Sequence, residues 1–236
     1  MKREILDALQ AARAGHRTAA LVTDLASGAQ ALVVDDTVLG DLPVDKTLQS
    51  AIEEAVRHNR SRTAADGKLF IQAFVPPLRL AIIGAVHIAQ ALAPMAALAG
   101  YDVTVIDPRR AFASDERFPG VKVSTEWPDD GLAALKPDGR TAVVTLTHDP
   151  KLDDPALDVA LRSPAFYIAA LGSRKTHAGR IERLTARGHG ANALARIHGP
   201  AGLALGAVSP AEIAISVMAQ MIAVLHGAGP HGKAPA

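Results

Sequence analysis

Apolar and polar positions follow one pattern up to residue 77 and another beyond it. In the first stretch, residues 4–14 and 47–58 place apolar side chains at helical spacing, the second through Leu48, Ile52, Ala55 and Val56. Residues 18–23 and 30–34 read as two strands joined through Ala26-Ser27-Gly28-Ala29, and residues 69–75 as a third. Pro76-Pro77 lacks backbone donors and forbids further pairing, which puts a boundary at that pair. Beyond it, apolar runs alternate with helical segments: strand 80–83, helix 87–98, strand 102–106, strand 141–147, helix 153–161, strand 166–171, and helices 175–187 and 209–225. Pro94 is expected to kink the helix it lies in or to confine its regular part to one side. Residues 115–119 and 127–128 read as irregular. Ser209-Pro210-Ala211-Glu212 has the hydroxyl, proline and glutamate of a capping box. The pattern predicts an α/β protein: a small α+β N-terminal domain (1–77), a Rossmann-like, mainly parallel sheet with helices on both faces (78–228), and a short tail (229–236).

The first strand of that second region ends in Gly84-Ala85-Val86-His87, and the next ends in Asp107. A glycine there lets the backbone turn into a helix whose free N–H groups can meet a phosphate, and Asp107 falls where a ribose-binding acid would. The glycine fingerprint is incomplete. Val86 and Ala89 stand where two of its glycines would be, and Val86 puts a branched side chain where a pyrophosphate approaches bare backbone.

Composition narrows the function. The chain has 236 residues, 25 basic and 24 acidic, a net charge of +1 and 3% aromatic residues, so neither a broad electrostatic field nor stacking platforms favour nucleic acid. Cysteine is absent, which excludes disulfides, thiolate metal sites and a cysteine nucleophile. Charges interrupt the apolar positions of residues 1–7, unlike a signal peptide, and the apolar run 213–225 is too short to span a membrane, so a cytoplasmic protein is expected.

Three strand ends carry candidate chemistry: Gly84 with His87, Thr147-His148-Asp149, and Gly172-Ser173-Arg174-Lys175. In open α/β sheets the ligand crevice lies outside the carboxyl ends of the strands, where these segments would converge. The last offers a helix start with two cations, suited to phosphate; Asp149 before Pro150 is equally suited to a local turn bond. Residues 196–207, with His198, form a glycine-punctuated loop that either approaches a ligand or only constrains the chain. The scattered histidines do not have metal-ligand spacing, and no metal is expected. A nicotinamide oxidoreductase is one alternative, with Asp107 on the ribose, or Arg109 and Arg110 on a 2′-phosphate, and His148 as acid or base. An interaction scaffold with a vestigial pocket is another.

Taken in order, residues 83–88, 105–109, 117–119, 146–149, 171–175, 196–203 and 206–214 resemble the XdhC/CoxI family, over residues 80 to about 226. The resemblance implies an accessory protein that binds a molybdopterin-type molybdenum cofactor and assists its delivery to a xanthine or carbon monoxide dehydrogenase-like hydroxylase. It also implies a hydroxylase apoenzyme and a separate sulfur donor as partners, and a homodimer is expected. Gly84, Ala85, Val86, His87, Asp107, Arg109, Thr147, His148, Asp149, Gly172, Ser173, Arg174, Lys175 and His198 would line the cofactor site; NAD(P) is the less favoured ligand. The chain departs from the family in its glycine turn, and it lacks the cysteine and the serine- and glycine-rich stretch that many members carry in the N-terminal domain.

Overall fold

The computed structural model describes residues 2–64 and 67–228, and the expected tail lies outside the described residues. The chain divides between Pro76 and Pro77 into two compact units.

The first unit holds α1 (Arg3–Ala14), β1 (Ala19–Asp24), β2 (Gln30–Val34), β3 (Thr37–Gly40), α2 (Lys46–Arg57), β4 (Arg62–Thr63) and β5 (Leu69–Phe74). Its antiparallel sheet runs β3-β2-β1-β5-β4. Side chains alternate across a strand, so β1 feeds two cores: Ala19 and Leu21 pack with Ile5, Leu9 and Ala12 of α1, whereas Ala20 and Val22 pack with Leu48, Ile52 and Ala55 of α2. The short strands β3 and β4 escape the sequence pattern because each carries too few apolar positions to show a period of two.

The second unit alternates strands with helices along most of its length. β6 (Arg79–Ile83), α3 (His87–Leu98), β7 (Asp102–Ile106), β8 (Lys122–Ser124), α4 (Pro128–Leu135), β9 (Thr141–Thr145), α5 (Pro150–Arg162), β10 (Tyr167–Ala170), α6 (Arg174–Ala186), α7 (Ala191–Leu194), β11 (Ile197–His198) and α8 (Pro210–Leu225) follow in order. Every strand pair in its sheet is parallel. The spatial order β8-β7-β6-β9-β10-β11 is that of a dinucleotide-binding fold, reversing between β6 and β9. Leu80 and Ile82 of β6 face the layer of α3 and α8, where Ala89, Leu92 and Ala93 meet Ala214, Val217 and Met221. Ala81 and Ile83 face the opposite layer with Leu132, Leu157 and Leu184. A sheet buried on both faces explains the continuous apolar strands.

Two expectations change here. The chain between β7 and β9, read as irregular through 115–119 and 127–128, contains β8 and α4; Pro128 at the first helical position with Asp129 and Asp130 behind it starts α4, and Gly131 lets that helix lie against Ile106, since a Cβ there would come within 2.9 Å of its Cγ2. Helix α3 continues on both sides of Pro94, so its regular part is not confined to one side. The capping box at Ser209 forms, with Glu212 accepting from the Ser209 and Val208 N–H groups.

Candidate functional site

The turn after β6 is set by Gly84, whose φ of +106° suits glycine and whose N–H donates to the Ile106 carbonyl of β7. The next N–H, from Ala85, donates to Asp107 Oδ2 at 2.8 Å. Asp107 is fully buried and also accepts from Arg109: the backbone N–H at 2.9 Å, Nε at 2.9 Å and Nη2 at 2.7 Å. Burial pushes this carboxyl up, but the bonds from the Arg109 side chain and from Ala85 outweigh it, and its pKa lies below the ordinary carboxylate value. Both oxygens are thus engaged within the chain, where the sequence reading offers them to a ribose.

At the start of α3, Val86 is the N-cap residue and contributes no side-chain capping bond, while His87 is exposed. The Val86 side chain packs half-buried against the α3/α8 core.

The carboxyl end of β9 reaches the same place. A Cβ on Gly84 would stand 2.5 Å from Thr147 Cγ2, so a larger residue at position 84 would force the threonine methyl or the turn to shift. Thr147 Oγ1 donates to Asp153 Oδ1 at 2.6 Å and accepts from the Asp149 N–H at 3.1 Å. His148, between them, takes a left-handed φ of +61° and is exposed. Asp149 caps α5, accepting from the Lys151 N–H at 2.9 Å, which is the local bond its place before Pro150 suggests.

Beneath these turns lies a pair that the sequence reading missed. Asp153 and Arg180 each expose 2% of the side chain, and Arg180 Nη2 lies 3.8 Å from Asp153 Oδ2. The same Nη2 donates to the Leu171 carbonyl at 2.8 Å, holding the end of β10 just before Gly172. Burial raises the Asp153 pKa and lowers that of Arg180. Asp153 Oδ2 and Arg180 Nε and Nη1 are buried without hydrogen-bond partners. Burying unsatisfied polar atoms is costly, and perturbed titratable groups cluster at functional sites. In the sequence, Arg180 sits in a charged helical run that reads as a solvated face; Asp153 reads as a first-turn helix acid. Only their facing positions on α5 and α6 reveal them.

The third segment completes the row. Gly172 has φ +141°, with Thr176 so close that a Cβ would lie 3.0 Å from its Cγ2. Ser173 caps α6, accepting from the Thr176 N–H, and Arg174 and Lys175 follow as exposed cations that form no ion pair with a described residue. His198 ends β11, the strand beside β10, half-buried and stacked on Tyr167 at 5.0 Å between ring centroids. The loop after it is tied to α8. Gly202 touches α8, where a Cβ would stand 2.3 Å from Ser216 Oγ, and its N–H donates to Gln220. Among the described residues, no group of three or more histidine, aspartate or glutamate side chains is gathered for a metal ion, and no helix is long and apolar enough to cross a membrane.

Comparison with known proteins gives this geometry a family. Residues 80–221 match the XdhC Rossmann domain. The chain is 30% identical over 201 residues to the uncharacterized protein YqeB of Escherichia coli K12, covering 78% of this chain and 36% of that protein. It is 33% identical over 155 residues to a probable xanthine dehydrogenase subunit of Bacillus subtilis 168, covering 65% and 45%. It is 32% identical over 165 residues to the molybdenum cofactor insertion chaperone PaoD of E. coli K12, covering 70% and 46%. The chain spans less than half the length of these curated relatives. A crystal structure from Bacillus halodurans, described as a xanthine dehydrogenase, superposes with a TM-score of 0.70 at 24% identity over 95% of this chain and 66% of that one, a likeness of fold.

Proposed function

Because this chain belongs to the XdhC family through its Rossmann domain, we propose that it is a maturation factor for a molybdenum hydroxylase, holding a molybdopterin-type cofactor at the strand ends for delivery to the apoenzyme. The observation that carries the reading is the convergence of three turns at the switch point of the sheet: Gly84 against Thr147, and Thr147 linked through Asp153 and Arg180 to the carbonyl before Gly172. The name of PaoD, a cofactor insertion chaperone, supports the same role.

The residues present suit such a group. A pterin with a phosphate tail needs donors and positive charge. This edge of the sheet supplies the uncapped first turn of α3, exposed His87 and His148, and, beside the Ser173 cap, Arg174 and Lys175 without an ion pair to any described residue. In this reading Arg174 and Lys175 hold the phosphate, while His87 and His148 hydrogen-bond the polar edge of the ring system. When bound, the cofactor supplies the redox chemistry of the client enzyme; the chain's part is to bind, orient and shield it. With no cysteine among the 236 residues, the chain forms no persulfide, and sulfur destined for the cofactor comes from a separate donor protein.

Reconstitution tests this. Apo-hydroxylase mixed with cofactor, a cysteine desulfurase and this protein is expected to gain activity faster and to a higher level than without the protein. Equal activation with and without it contradicts a delivery role. Full activation of a sulfur-dependent hydroxylase with no sulfur source contradicts the separate donor.

A further inference from the structure

The turn that opens α6 rests on a buried charge. Arg180, in the second turn of that helix, exposes 2% of its side chain, and its Nη2 donates to the Leu171 carbonyl at 2.8 Å. The same nitrogen lies 3.7 Å from where a Cβ on Gly172 would stand, so the bare backbone of the turn lies against the guanidinium. Burial lowers the Arg180 pKa, but a guanidinium starts so high that it stays charged in a protein.

That charge is incompletely answered. Two carboxylates act on it, Asp153 and Asp154. Asp154 is committed to Arg183, which donates to its two oxygens at 2.6 and 3.1 Å. Asp153 uses Oδ1 for the Thr147 hydroxyl, and its Oδ2 stops 3.8 Å from Arg180 Nη2, beyond hydrogen-bond reach. Arg180 Nε and Nη1 are buried with no hydrogen-bond partner among the described residues. His177, one turn earlier on α6, is held toward its neutral form by burial and by Arg180. The balance beneath the turn is therefore positive, and above it stand the first N–H groups of a 13-residue helix with Arg174 and Lys175, all of the same sign.

We propose that the buried Arg180 sets the affinity of the Gly172–Ser173 turn for an anionic oxygen group, and that Asp153 tempers it. The inference rests on the reading of Arg174 and Lys175 as the phosphate contacts, and it assigns a second source of charge beneath them. Neither Arg180 nor Asp153 touches the ligand. Both are positioning residues that act through the turn, Arg180 by its hold on the Leu171 carbonyl and by its field. A unit charge ~10 Å from an anion, at an effective dielectric of ~20, changes affinity about tenfold, and a buried charge is screened by salt far less than an exposed one.

The test uses the full chain and inorganic phosphate at mildly alkaline pH, followed through the amide NMR shifts of residues 172–176. Arg180→Gln is expected to weaken binding about tenfold, and Arg180→Lys, which keeps the charge, to stay within about threefold of the native value. Asp153→Asn keeps an acceptor for Thr147 and is expected to tighten binding several-fold. A pair with a merely structural role would move Arg180→Gln and Asp153→Asn in the same direction. Raising salt should shrink the effect of Arg174→Gln and leave the ratio between Asp153→Asn and the native chain nearly constant. If Arg180→Gln does not fold, Asp153→Asn and Arg180→Lys carry the test. Weaker or unchanged binding in Asp153→Asn, loss of binding in a folded Arg180→Lys, or no saturable shift at these amides in the native chain overturns the proposal. Loss of affinity in Arg174→Gln with Asp153→Asn unchanged would remove the buried charge from the account and leave the phosphate contacts standing. The maturation role is read separately, because phosphate carries no pterin and no client enzyme is present.

Discussion

Gly84 and Thr147 are in contact across the switch point of the sheet, the glycine lacking the one atom that would strike the threonine methyl, 2.5 Å away. This contact fixes the spacing of the two strand ends between which a ligand in such a fold lies. Gly84→Ala is expected to destabilise the chain by about 2–5 kcal/mol, combining ~1–2 for a left-handed backbone with ~1–3 for overpacking. Thr147→Ser removes the methyl but keeps the hydroxyl bond to Asp153, so the double variant should recover the overpacking share and not the backbone share. Urea unfolding of the four proteins measures this coupling, and strictly additive effects would show that the two residues do not meet.

The buried pair beneath that contact predicts a second cycle. Removing one charge of a buried pair typically costs about 3–5 kcal/mol because the other is left uncompensated. Arg180→Met is expected to fall in that range, and Asp153→Leu with Arg180→Met to cost clearly less than the sum of the single changes. The Gly172 turn should loosen when Arg180 no longer holds the Leu171 carbonyl, which amide exchange at residues 171–173 would report.

Two buried carboxylates of this crevice respond to acid with opposite sign. Burial pushes Asp107 up, but Arg109 and Ala85 pull it below its ordinary value of 3.8, so the stability it contributes is present above that value and is lost as pH falls towards its folded value. Asp153 is raised above 3.8 by burial, so its contribution is present below 3.8 and is lost as pH rises through its folded value. The stability difference between the native chain and Asp107→Asn should therefore shrink on acidification from pH 6 towards pH 3. The difference from Asp153→Asn should move in the other direction. Parallel shifts in both variants would contradict the assignment.

Much of the fold is legible in the sequence because burial of a parallel sheet on both faces writes itself as apolar runs, and the turns at Gly84 and Gly172 and the cap at Ser209 have local causes. What escapes is set by distant partners. β8 is too short to show a period, α4 is weakly apolar and packs through Gly131 on Ile106, and β3 pairs at its end through Gly40, where a Cβ would lie 2.1 Å from the Gln30 carbonyl oxygen. In the candidate site, the turns at Gly84 and Gly172 and the local bond of Asp149 before Pro150 are legible from strand-end and turn logic. The hold of Arg109 on Asp107 and the stacking of His198 on Tyr167 are not legible, because neither pairing leaves a mark in one dimension.

The turn at Val86 carries a prediction about nicotinamide cofactors. Its branched Cβ stands at the N-cap of α3, where a pyrophosphate needs bare backbone. Calorimetry is expected to find no micromolar affinity for NAD in the native chain and stronger binding in Val86→Gly. Micromolar binding by the native chain would contradict this, and an unchanged Val86→Gly would locate the obstruction elsewhere.

The central claim, that the strand ends hold a molybdopterin-type cofactor, is tested most directly by equilibrium binding of isolated cofactor, followed through pterin fluorescence, to the native chain and to Arg174→Glu. Arg174 is exposed and forms no ion pair with a described residue, so its reversal should leave the fold intact. Charge-assisted hydrogen bonds contribute about 1.5–3 kcal/mol each, so the account predicts saturable binding that weakens at least about tenfold in the variant. No saturable binding by the native chain, or equal affinity in a folded Arg174→Glu, would contradict it.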